Sequence, residues 1–184
     1  MKGQNVTADK TARVIGNEGC HLVLNKTWSD GDRTRSLLSM GPDSELILNK
    51  NSCGGYVFDV FSGSKIYINK GATLSFSGKG YMNHNVSLSC FDKISIGTDV
   101  VISEGVTIRD SDNHSILGSK KPSTAPIEIG NHVWIGLNST ILKGVKIGDG
   151  SVIAAGAVVN NDIPCNCLAA GVPAKVVKQG VNWE

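Results

Sequence analysis

From Ile129 onward an aliphatic residue recurs every sixth position, at Ile129, Ile135, Ile141, Ile147, Ile153 and Val159. Four residues after each stands Val133, Ser139, Val145, Ser151, Ala157 or Ile163, all small or aliphatic. On an α-helix a step of six turns about 600°, which scatters the aliphatics over three faces and excludes a helix for this stretch. Six is an even step, so in an extended chain the same residues share one face, provided the chain turns a corner after each hexad. Glycine follows the aliphatic in Ile129-Gly130, Ile135-Gly136 and Ile147-Gly148, where a tight corner favours a residue without Cβ.

Ile96, Ile102 and Ile108 continue the period upstream, and residues 109–126, rich in Asp, Ser, Lys and Pro, interrupt it as a protruding loop. A weaker echo runs through Leu22-Val23-Leu24-Asn25-Lys26, Leu46-Ile47-Leu48-Asn49-Lys50 and Ile66-Tyr67-Ile68-Asn69-Lys70. Asn stands there where Gly stands later, and Asn also tolerates left-handed corners. With three hexads to a turn, the echo phrases and the later hexads count as successive turns plus insertions. The expected architecture is a triangular parallel β-solenoid, one domain over residues 1–184, irregular at first and regular near its end. A β-sandwich competes only for the residues before 90; nine hexads in phase favour the solenoid. Its ends need caps. Residues 1–20 are expected to form one, and residues 172–184, opening on Val172-Pro173-Ala174, a short closing helix with Pro at an early position.

Only 5% of the chain is aromatic against 40% hydrophobic, so the core is expected to be aliphatic, with little room for rings. A formal charge of +2 and the lack of a basic run with interleaved aromatics argue against a nucleic-acid partner. No stretch approaches the ~18 apolar residues of a membrane span, and the start lacks a signal-peptide pattern, so a cytoplasmic location is expected. Five cysteines with one C-x-C pair, Cys165 and Cys167, read as reduced and mostly buried thiols.

The hexads, the phrase Asn131-His132-Val133-Trp134-Ile135-Gly136 and the ending Ala169-Ala170-Gly171-Val172-Pro173-Ala174-Lys175 resemble the hexapeptide-repeat acyltransferases. That resemblance implies a left-handed parallel β-helix, acetyl-CoA as acetyl donor, no metal, and a homotrimer with each site between neighbouring coils. Within the family, Met82-Asn83-His84-Asn85 and Arg109-Asp110-Ser111-Asp112-Asn113-His114 are similar to the sugar O-acetyltransferases, closest to those acting on surface polysaccharides or their precursors.

Acetyl transfer to a hydroxyl needs a base, an oxyanion donor and a site that keeps the thioester close. His114 follows two carboxylates in the only long loop between hexads, and such neighbours can hold an imidazole in one tautomer. The resemblance also puts the catalytic base there. It implies acceptor contacts at Asn83, Asp110 and Asp112, with Phe91 standing where relatives carry a further carboxylate. It places the thioester at Leu137, whose N–H is a candidate oxyanion donor, and pantetheine at Ala155. The nucleotide end falls on Asn160 and Asn161, and the phosphates on Lys175 and Lys178. His132 reads as an exposed turn residue, His21 has no argument for it, and His84 stays open between acceptor contact and turn. Trp134 reads as packing at a subunit boundary or under the loop.

The expected activity is acetyl-CoA-dependent O-acetylation of a sugar hydroxyl. Competing readings are the same fold acting on an amino-sugar amine or an antibiotic hydroxyl, a γ-type carbonic anhydrase with three histidines on zinc, and a non-catalytic scaffold.

Overall fold

A computed structural model describes residues 5–16, 18–27, 34–48, 57–115, 117–118 and 121–184. All named elements are strands, 21 of them in three sheets of seven, six and eight, which we call faces A, B and C. Each full coil adds one strand to every face in the order B, C, A, and all neighbours along a face pair in parallel except the last two strands. No helix occurs among the described residues, so none is long and apolar enough to cross a membrane.

The nine hexads behave as their spacing requires. Ile96, Ile129 and Ile147 stack in register on face B; Ile102, Ile135 and Ile153 on face C; Ile108, Ile141 and Val159 on face A. Every one of them is buried. Alternate residues point inward, so six residues carry the chain along one short strand and round one corner.

The echo phrases differ from expectation. Leu24 lies on face C, Leu48 on face B and Ile68 on face A, so they are not successive turns of one face. An inward-outward-inward triplet suits any face, and the triplet alone carries no information about which. Asn25 does take a left-handed conformation (φ 62°), while Asn49 and Lys50 lie outside the described residues.

Glycine at the hexad corners has a different cause from the one expected. Gly97, Gly130, Gly136 and Gly148 take no positive φ. A Cβ on Gly136 would stand 2.6 Å from Ile153 O and 2.7 Å from Ala155 N, so the next coil approaches too closely for any side chain. The left-handed residues sit two positions further on. Asp99, His132, Gly150 and Asn166 stack at the B/C corner, and Asn85, Gly105, Asn138 and Gly156 at the C/A corner.

The core is mainly aliphatic, yet two rings enter it: Phe58 and Phe76 are fully buried with centroids 4.4 Å apart. Gly80, paired with Phe58, makes the room; a Cβ there would meet Phe58 Cε2 at 2.8 Å.

Both ends depart from the expected caps. Within residues 1–20 the strands Asn5–Ala8 and Arg13–Gly16 are the first coil itself, with Val6 40% and Val14 64% exposed; residues 1–4 and 17 lie outside the described part. The expected closing helix is a strand. Ala174–Gln179 turns back through Gly171-Val172-Pro173 and pairs antiparallel with Cys167–Gly171. β-Branched Val176 and Val177 suit a strand, and the pairing covers an edge that would otherwise end the coil unbonded. Cys90 and Cys167 are buried, Cys20 is half-buried and Cys165 is exposed, all as free thiols; Cys53 lies outside the described residues.

Candidate active site

The corner between faces A and B carries residues 110–126, which leave the coil after Thr107–Arg109 and rejoin it at Ile127–Ile129. An antiparallel bridge between Ser111 and Thr124 closes the base of this segment. Residues 116, 119 and 120 lie outside the described part. His114 is exposed and lines a cavity of about 440 Å³ with Asp112, Lys121, Leu142, Lys143 and Asn160. It makes no hydrogen bond among the described residues.

The two carboxylates before His114 have separate tasks. Asp112 pairs with Lys143 Nζ at 2.6 Å, and that ammonium also donates to the carbonyl of Pro122. Asp110 is fully buried, and its oxygens accept the backbone N–H groups of Phe91, Asp92 and Lys93 at 2.7–3.0 Å. Burial pushes its carboxyl above the ordinary range while those N–H groups pull it back. Burial foremost, and then the Asp110 charge, push the adjacent Cys90 thiol far up, so that thiol is inert. Asp110 therefore caps the turn at 91–93 and presents no free oxygen to an acceptor, a correction to the sequence expectation. Phe91 lies beneath the Arg109 guanidinium, 4.7 Å from its ring centroid.

The corner between faces C and A carries the donor-side candidates. Asn83, Ser103, Gly136 and Ala154 stack there, each donating its N–H to the coil above. Leu137 and Ala155 follow in the same column: Leu137 O accepts Gly156 N–H at 2.7 Å, and Leu137 N–H has no acceptor among the described residues. Asn83 Oδ1 accepts the N–H of His84, whose Nδ1 lies 2.8 Å from Ser62 Oγ.

Leu137 and Ala155 form one side of a groove of about 500 Å³ across face C. Trp134 and Val152 line its floor, Lys178 stands at its edge, and residues 180–183 make the opposite wall. Trp134 is 41% exposed, donates Nε1–H to Ser103 Oγ and lies on face C, not under the 109–126 segment. Lys175 is exposed on the closing strand, outside the groove lining. Asn160 lines the His114 cavity instead, with Asn161 Nδ2 donating to it at 2.6 Å. Within one chain His114 and Leu137 thus occupy different cavities.

The sequence reading missed Lys143, His132 and Trp183. His132 Nδ1 lies 2.8 Å from Asp99 Oδ2, its Nε2 lies 3.0 Å from Trp183 O, and its ring stacks on Trp183 at 4.2 Å. No local pattern signals partners 33 and 51 residues away. His132 stands at the B/C corner and His114 at the A/B corner, so the two do not converge as ligands of one zinc would.

Three parallel faces wound from hexads define a hexapeptide-repeat solenoid, and comparison with known proteins agrees. The hexapeptide repeat of succinyl-transferase matches residues 126–161. The galactoside O-acetyltransferase of Escherichia coli K12 is 37% identical over 117 residues, covering 62% of this chain and 58% of the relative. The crystal structure of the polySia specific acetyltransferase NeuO superposes with a TM-score of 0.63 at 27% identity, covering 96% of this chain and 90% of that one. A galactoside acetyltransferase solved with coenzyme A gives 0.50 at 30% identity, covering 75% and 65%. The chain carries the hexapeptide repeat and is similar to these acetyltransferases. It spans just under three fifths of the length of the curated relatives it matches first.

Proposed function

We propose that this chain is an acetyl-CoA-dependent O-acetyltransferase acting on a sugar hydroxyl, of a surface polysaccharide or its precursor, and that it works in the cytoplasm as a homotrimer of left-handed β-helices. One observation carries the reading: His114 and Leu137 stand at the same level of the coil on adjacent corners, at opposite ends of the strand Thr140–Leu142. A threefold arrangement sets the A/B corner of one copy against the C/A corner of the next. His114 of one copy then faces the Leu137–Ala155 groove of its neighbour. Relatives that acetylate galactosides and polySia, one of them solved with coenzyme A, support this assignment.

His114 Nε2 removes the proton of the sugar hydroxyl as its oxygen attacks the thioester carbonyl. Leu137 N–H holds the oxyanion of the tetrahedral intermediate. The C–S bond breaks, and the imidazolium returns its proton to the departing thiolate. Pantetheine lies along Ala155, the phosphates reach Lys175 and Lys178, and the nucleotide end reaches Asn160 and Asn161, contributed across the same junction. Asn83 and Asp112 remain the acceptor-side groups.

Acetyl transfer from labelled acetyl-CoA to free sugars, nucleotide sugars, amino-sugars and oligosaccharides tests the proposal. The wild type transfers to a sugar hydroxyl, and His114→Ala loses about 10²- to 10⁴-fold in kcat while still binding CoA. Near-normal turnover by His114→Ala sinks the mechanism. Transfer confined to amines moves the activity to the amino-sugar reading.

A further inference from the structure

Residues 180–183 lie across face C, with Val181 N–H donating to Asn166 O at 2.9 Å and Trp183 held at His132. Trp183 stacks on His132 with ring planes 6° apart, its Nε1–H donates to His132 O at 3.0 Å, and Trp134 lies 6.1 Å away on the groove floor. His132 Nδ1 faces a carboxylate oxygen of Asp99 and Nε2 a backbone carbonyl, and both are acceptors only. The two contacts fix the orientation of the ring against Trp183. The charged groups around it are Asp99 and Lys79, whose Nζ lies 3.5 Å from Asp99 Oδ1, with Asp149 held by Asn131 on the next coil and Glu184 following Trp183.

We infer that His132 positions Trp183 as the fixed outer wall of the acyl-CoA groove, so that the Asp99–His132–Trp183 relay sets affinity for the donor's pantetheine arm. The inference rests on the proposed donor role of the Leu137–Ala155 groove. Trp183 faces the groove across from that corner, and an indole wall removes the arm's methylenes from water. His132 touches no substrate and acts only through Trp183.

The test compares wild type, Trp183→Ala, His132→Asn and His114→Ala. Asn is chosen because His132 has φ 53°, a left-handed conformation that Asn tolerates. Binding of CoA alone is measured by calorimetry, with steady-state kinetics alongside. Trp183→Ala and His132→Asn weaken CoA binding and raise the acetyl-CoA KM roughly fivefold or more, with kcat and acceptor KM within about twofold. Unchanged CoA affinity in folded Trp183→Ala overturns the wall while leaving the acetyltransferase reading intact. Absence of CoA binding by the wild type overturns both. Packing of the pantetheine arm against the indole changes wild-type tryptophan emission when CoA binds; emission that ignores bound CoA overturns the wall even if a variant fails to fold.

Discussion

Lys143 Nζ sits 2.6 Å from Asp112 Oδ2 and also donates to the carbonyl of Pro122, so one ammonium ties both limbs of the segment that carries His114. Its side chain is only 18% exposed, because the turn at 143–144 lies under that segment. Lys143→Met removes both ties. Half-exposed Asp112 limits the pair's contribution to about 1 kcal/mol or less, so the melting temperature moves little. Turnover falls about 10- to 100-fold, because catalytic geometry depends on where the segment holds His114. Unchanged kcat in a folded variant contradicts this role.

Asp110 supports the same segment from below. Asp110→Ala leaves the N–H groups of Phe91, Asp92 and Lys93 without their acceptor in a buried site, at a cost of roughly 2–4 kcal/mol. Denaturant unfolding measures it. A loss below about 0.5 kcal/mol, as for an ordinary surface position, counts against the cap.

Two classes of glycine separate by substitution. Gly136→Ala drives a Cβ into the backbone of the next coil and costs about 1–3 kcal/mol. Gly156 has open space but φ 70°, so Gly156→Ala costs about 1–2 kcal/mol, and Gly156→Asn less, since Asn accepts that conformation. Equal losses for Gly156→Ala and Gly156→Asn contradict the backbone argument.

The Asp99 carboxyl is held below the ordinary range, first by the hydrogen bond from His132 and then by Lys79. A lowered folded value means that its contribution is whole above the unfolded value, about 3.9, and is lost as pH falls through the lower folded one. Melting curves of wild type and Asp99→Asn converge in acid and separate above about pH 4. Separation that persists undiminished well below pH 3 contradicts the assignment.

Periodicity reveals what repeats. Ile96 to Val159 place nine strands on three faces because each hexad buries the same kind of residue in the same way. The irregular coils are less legible: Leu24, Leu48 and Ile68 sit in like phrases on unlike faces, since insertions reset the count. Ala174–Gln179 reads locally as a helix start after Pro173 and becomes a strand because Cys167–Gly171 offers it an edge. At the site, His114 is legible as a histidine in an interrupting loop. Asp110 is not distinguishable from Asp112 by sequence, as only the fold brings the 91–93 turn beneath one of them. The Asp99–His132–Trp183 contacts span 33 and 51 residues and leave no local trace.

Complementation between two inactive chains tests the central claim most directly. His114→Ala lacks the base, and Ala155→Trp fills the groove at an exposed corner residue. Each alone is expected to be inactive in acetyl transfer. Refolded together in equal amounts, they place an intact His114 against an intact groove at about a quarter of the junctions of a cyclic assembly, and about a quarter of wild-type activity returns. No recovery in the mixture, or full activity of either chain by itself, contradicts an acetyltransferase site shared between copies.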